Sequence, residues 1–445
     1  MCALLFALLA AALVISCAAG SEIRGNAANP QAVAEVLSGT RTVANAAWWG
    51  FNEEDATDAL QAAINSSAKR VIVPNMTKDW IVRPLTLAGD QELVLEEGVV
   101  ITAKRGEFRG GGDSVFTARD LSNLTIRGYG ATVRMQKEDY IVGKVLLDMG
   151  WNRWFGQYKK AEWRMPLSLQ GCSNVKVYGL TLRDSGGDGI IVGRGGKRAY
   201  CKDIHIRDVV CDNNYRQGIS VISADGLLVE NSVFQNTWGT PPSSGVDIEP
   251  DTADERVRDV VFRNCLFKDN YGDGVEIFLA NLTAASGDVS IRFESCRVAS
   301  SRGSGIRVTK VSDKGPGGLI EFRDCVVEST EGYGIKVQEK CADRARLRFV
   351  NCTVRNAANN RGYGDTWAPI ALHPKQMTRF GGIDFADCLV EDDRERPAIT
   401  VEKQDPNVGL FDITGTITVR NPFGVKAALG DEQQGVTLVV REANG

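Results

Sequence analysis

Residues 243–250 read Ser-Ser-Gly245-Val-Asp247-Ile-Glu249-Pro, and residues 272–277 read Gly-Asp-Gly274-Val-Glu276-Ile. Both place a glycine before a β-branched residue, a charged residue and an isoleucine. The same phrase recurs as Gly189-Ile-Ile-Val and Gly218-Ile-Ser-Val on one side, and as Gly305-Ile-Arg-Val and Gly334-Ile-Lys-Val on the other. The six glycines stand 29, 27, 29, 31 and 29 residues apart, and Pro369-Ile-Ala-Leu and Ala398-Ile-Thr-Val continue the register without glycine. Between anchors lie short alternating runs such as Val257-Arg-Asp-Val-Val-Phe and Cys265-Leu-Phe, separated by Asn, Asp, Gly and Ser. Alternation is the strand period, and the intervening residues are those of turns. A repeat of this length, built of short strands and turns, is one coil of a parallel β-solenoid.

The cysteines obey the same period. Cys265, Cys296, Cys325, Cys352 and Cys388 follow similar phrases at intervals of 31, 29, 27 and 36 residues. One equivalent position per coil suits small buried hydrophobes stacked on one another rather than disulfide partners. The chain has no CxxC spacing for a structural zinc. Asp184, Asn213, Asn236 and Asp269 align at the turn before the anchors and read as a structural turn ladder.

Composition narrows the function classes. The 445 residues carry 52 basic and 56 acidic groups, so the net charge of -4 offers no electrostatic footprint for nucleic acid. Two histidines argue against a His-rich metal site or a His-based triad. No phosphate-binding glycine loop, nucleophile elbow or dinucleotide fingerprint is present. Residues 1–20 contain an uncharged apolar run from Ala3 to Ile15 followed by small residues, the pattern of a signal peptide. Val14-Ile15-Ser16-Cys17 resembles a bacterial lipobox, which would make Cys17 a lipid anchor. The expected location is therefore exported: periplasmic, extracellular or lipid-anchored at the cell surface. No later stretch is apolar for long enough to be a transmembrane segment.

The repeats resemble the coils of right-handed parallel β-helix proteins of the pectate-lyase-like superfamily. The resemblance covers roughly residues 50–420. The phrase Glu53-Glu-Asp-Ala-Thr-Asp-Ala-Leu-Gln-Ala-Ala-Ile64 is similar to the helix that closes the open end of such solenoids. Asp55 or Thr57 can cap this helix, and Leu60, Ala63 and Ile64 share a face. The expected fold class is all-β, a right-handed parallel β-helix with an N-terminal capping helix. Residues 421–445 form an irregular last coil or terminal strand. Residues 135–166 break the pattern and read as an inserted loop, with Trp154 and Trp163 among its aromatics.

Aligned anchors predict columns, because equivalent residues of successive coils stack about 4.8 Å apart. The residue after each glycine points inward. The next points out, giving Ile191, Ser220, Asp247, Glu276, Arg307, Lys336, Ala371 and Thr400. The outward position two further on includes Glu249 and His373, and Asp188 and Asp273 sit beside the anchors at the rim. Three acids on neighbouring rungs repel one another, so stability alone explains them poorly. Two chemistries fit Asp247, Glu249, Glu276, Arg307 and Lys336. Paired carboxyls suit glycoside hydrolysis, one acting as general acid because its neighbour raises its pKa. Alternatively, Asp247, Glu249 and Glu276 bind Ca²⁺ through oxygen ligands, with Arg307 or Lys336 as base. The resemblance implies this lyase route for many members and hydrolysis for others. Trp238 and Trp367 lie in loops before the same strand and, with Asp188, Asp273, Trp154, Trp163 and His373, are candidate substrate contacts. The expected partner is a polysaccharide, and the alternative is a non-catalytic carbohydrate-binding or adhesin-like solenoid.

Overall fold

The computed structural model describes residues 25–141, 158, 161–360, 367–405, 408–429 and 435–443. The signal-peptide segment, Cys17 and Trp154 lie outside them. Among the described residues no helix is long and apolar enough to cross a membrane.

Every coil of the central repeat delivers three strands. In one coil these are Val257–Arg263, Leu266–Lys268 and Val275–Phe278. The first two join a 22-stranded sheet and the third a 12-stranded sheet, and neighbouring coils pair in parallel throughout. The chain can bend between strands because left-handed backbone recurs there. Asn264 (φ 51°) and Asp269 (φ 55°) make the two corners of this coil, as Asn231 and Asn236 do one coil earlier. Asn and Asp tolerate this conformation better than other side-chain-bearing residues. The turn ladder of Asp184, Asn213, Asn236 and Asp269 has this geometry at every member.

Inward residues form ladders along the axis. Phe262, Phe293, Phe322, Phe349 and Phe385 stack with centroids 4.9–5.2 Å apart. The five repeating cysteines are buried and unbridged, each thiol reaching a carbonyl of the preceding coil, as Cys325 does to Phe293 O at 3.4 Å.

The anchor glycines are explained by crowding rather than by unusual φ. A Cβ on Gly245 would lie 2.7 Å from Gly274 O, and one on Gly274 would lie 2.1 Å from Val298 Cγ1 and 2.8 Å from Gly305 O. The turns converge there so closely that only hydrogen fits.

The helix Thr57–Ile64 covers the first coil with Leu60, Ala63 and Ile64 fully buried. Its cap differs in detail from the expectation. Ala56 occupies the capping position, and Asp55 Oδ1 accepts from the Thr57 N–H at 3.0 Å. A second helix, Pro30–Leu37, precedes it and was not apparent from periodicity. Strands begin at Val43–Asn45, and Val436–Glu442 pairs with Gly409–Arg420 at the far end.

Candidate functional site

The column predicted from the glycine register exists. In the 12-stranded sheet Ser220 pairs with Asp247, Asp247 with Glu276, Glu276 with Arg307, and Arg307 with Lys336. Ala371 and Thr400 follow. All seven point away from the core, yet Asp247 is only 1% exposed and Glu276 5%. Turn residues fold over the column and cover them.

The covering residues are those just before each anchor: Asp188, Gln217, Ser244, Asp273, Ser304 and Tyr333. Gln217 Nε2 donates to Asp247 Oδ2 at 2.8 Å, and its carbonyl accepts from Ser244 N at 2.8 Å. Ser244 Oγ lies 3.4 Å from Glu276 Oε2. Asp273 Oδ1 accepts from Ser304 N at 2.5 Å. The expectation put Asp188 and Asp273 at an open rim. Both are instead buried, at 0% and 7% exposure, because consecutive turns close on each other at the glycines.

Arginines thread between the acids. Arg307 Nη1 stands 3.3 Å from Glu276 Oε1 and 3.5 Å from Asp273 Oδ2. Burial works against its charge, but these two carboxylates more than offset it and raise its pKa. Arg307 is therefore a fixed cation, and the expectation that it could act as base is corrected. Arg216 was not anticipated. Its guanidinium lies 3.6 Å from Asp188 Oδ1 and 4.0 Å from Asp247 Oδ2.

Burial dominates the acids' protonation. It drives Asp247 well above the ordinary carboxylate range, reinforced by Glu276 and Glu249 and opposed by Arg216. Glu276 is pushed up to about 7 by burial and by Asp273, against the pull of Arg307. Asp188 is raised to about 6 by burial, with Arg216 opposing. Asp273 is raised by burial, with Arg307 opposing. Glu249 sits half-buried just past the strand end. Lys336 is half-buried, and burial followed by Arg307 lowers its pKa. Its ammonium rests 5.4 Å from the Tyr333 ring centroid.

Two groups flank this centre. Towards the C-terminus Tyr333 stacks on Trp367 at 4.6 Å and donates to Glu402 Oε1 at 2.8 Å. His373 Nε2 is 3.3 Å from Glu402 Oε2, and burial depresses its pKa to about 4. Trp367 and His373 thus gather around Tyr333, a rung or more beyond the acids. On the N-terminal side the insertion packs against the turns. Arg164 is buried beside the Tyr140 and Tyr158 rings and donates from Nε to Phe108 O at 2.7 Å. Glu162 Oε1 accepts from Thr240 Oγ1 at 3.2 Å. Trp163 and Trp238 stand exposed on this side.

The calcium reading does not fit these contacts. Among the described residues no three His, Cys, Asp or Glu side chains are grouped to hold a metal ion. The acids are instead interleaved with Arg216 and Arg307.

Comparison with known proteins agrees with the architecture. The family model described as "Right handed beta helix region" matches residues 166–286, the segment holding the acid rungs. "Uncharacterized protein YclG" of Bacillus subtilis is 31% identical over 129 residues, covering 26% of this chain and 22% of its own length. The chain thus matches about a fifth of that relative's length. The A-module of the Azotobacter vinelandii mannuronan C-5 epimerase AlgE6 is similar over 90% of this chain and 99% of its own, with TM-score 0.61 and 14% identity. A Yersinia enterocolitica family 28 exopolygalacturonase covers 90% and 78% with TM-score 0.55 and 14% identity. PfbA, a surface adhesin of Streptococcus pneumoniae, covers 89% and 93% with TM-score 0.55 and 12% identity. Likeness at these identities is likeness of fold, and the fold serves unrelated functions. The chain is a right-handed parallel β-helix protein.

Proposed function

We propose that the protein cleaves glycosidic bonds in a polysaccharide by acid–base catalysis, with Asp247 and Glu276 as the reacting pair. The carrying observation is two buried carboxyls in register on adjacent strands, both lifted far above the ordinary range. Such a pair shares its protons and titrates as a unit. Near neutral pH one member keeps a proton to give to the glycosidic oxygen, and the other can accept one from water. The bond from sugar carbon to leaving oxygen breaks, the leaving oxygen takes the acid's proton, and hydroxide from water joins the carbon. Arg307, fixed between Glu276 and Asp273, favours the ionised form of Glu276 and so assigns it the base role. Asp247, with Gln217 as neighbour, is the acid. Glu249 borders the pair at the half-buried strand end.

A second reading is supported by Lys336. Its lowered pKa and its place one rung from Arg307 suit a base that removes a proton alpha to a uronate carboxylate, giving β-elimination. A polysaccharide panel separates the two. Hydrolysis releases reducing ends without an unsaturated product, whereas elimination adds ultraviolet absorbance in step with the new ends. Binding without release of ends from any polymer would favour the adhesin-like alternative.

A further inference from the structure

Trp163, Trp238 and Tyr271 are among the large apolar side chains exposed in the described residues, and Trp238 and Tyr271 lie in the turns that lead to the acid rungs. Single exposed aromatics are ordinary, but neighbouring ones are not. The backbone shows how they align. Trp238 N donates to Asn214 O and Tyr271 N to Thr237 O, so Trp238 lies in backbone register with Tyr215 and Tyr271 with Trp238, one rung each. Arg302 continues the column through its N–H to Asn270 O. The loop of Trp238 runs on into Ser244 and Gly245, and that of Tyr271 into Asp273 and Gly274, so each ring is tied to a turn that touches the acids.

The rings are also held in place. Lys137 Nζ lies 4.1 Å from the Trp238 centroid, and Trp238 Nε1 donates to Asn213 Oδ1 at 2.8 Å. Arg302 Cζ lies 4.9 Å from the Tyr271 centroid. Even so, Trp238 stays 47% and Tyr271 58% exposed. Rings fixed beforehand lose little freedom on binding. An aromatic body with a polar edge matches a sugar, which has apolar C–H faces and hydroxyl edges. From the insertion, exposed Trp163 follows Glu162, whose carboxylate accepts from Thr240 in the loop of Trp238.

We infer that Trp238 and Tyr271, with Trp163, form a stacking track that carries a linear polysaccharide parallel to the solenoid axis and leads one linkage to the Asp247 and Glu276 rungs. This rests on the proposed function for its destination, while the track itself is a binding surface. The test uses full-length Asp247→Asn protein in native gels containing polygalacturonate, alginate or barley β-glucan. The parent is retarded by at least one polymer, and retention by the two uronates or by the glucan identifies the substrate as anionic or neutral. Trp238→Ala and Tyr271→Ala each weaken that retention about tenfold, while Trp238→Phe, which keeps a ring, retains most of it. Unchanged retention of the double alanine variant, or no retention of the parent in all three gels, overturns the track. Failure of the catalytic proposal would show separately, as undiminished turnover by Asp247→Asn.

Discussion

Glu276 illustrates how one residue reports on its surroundings. Its carboxyl would ordinarily titrate at 4.5 but is held to about 7, chiefly by burial. A carboxyl with a raised folded value binds more protons folded than unfolded. Its contribution is therefore fully present below about 4.5 and is lost as pH rises towards 7. Glu276→Gln removes that dependence. Urea unfolding should show the variant gaining on wild type by about 3 kcal/mol between pH 4 and pH 8, and an equal difference at both pH values would contradict the assigned burial. At this scale the sequence was informative where side chains follow the strand period. Asp247, Glu276, Arg307 and Lys336 fell into one column because the glycine register fixes which residues face out. Gln217 escaped notice although the position before each anchor is itself a column, and Arg216 lies one residue outside that column. In the sequence that column stands out only at its acids, Asp188 and Asp273. That those acids are buried depends on how neighbouring turns close, which no local pattern encodes.

Among the elements, the coil is legible because each ladder repeats a chemical requirement. Stacked phenylalanines and cysteines recur once per turn of the solenoid, and left-handed Asn or Asp corners twice in coils such as that of Asn264 and Asp269. The anchor glycines answer to crowding, so Gly274→Ala should destabilise by about 1–3 kcal/mol through overpacking against Val298 and Gly305. Removing a stacked ring, as in Phe322→Ala, should cost about 3–5 kcal/mol. Thermal or urea melts of both variants check these values, and a Gly274→Ala protein as stable as wild type would show that the turns are looser than described. The helix Pro30–Leu37 escaped notice for a different reason. It is short, and only Ala32 and Val36 bury its face, so periodicity had little to act on. The insertion also lacks a repeat to compare with, and its hold on the solenoid comes from long-range contacts such as Arg164 to Phe108 O.

For the whole molecule, a solenoid grows by adding rungs, so its length need not imply several domains. Its charge is nearly balanced in sum, and along the outward column the signs follow one another in order. In that column Asp247 and Glu276 are followed by Arg307 and Lys336 along the axis, while Arg216 reaches in from the turn beside Asp188 and Asp247. A polysaccharide chain lying along that axis would run over the turns that cover the acid pair and then past the cationic rungs. The central claim is that Asp247 and Glu276 do chemistry on such a chain. Its most direct test is the release of reducing ends from a polysaccharide panel by wild type, Asp247→Asn and Glu276→Gln, with folding of each followed by circular dichroism. The account predicts that both variants stay folded and lose activity by about 10²–10⁴-fold. Folded variants that both cleave at the wild-type rate would contradict it.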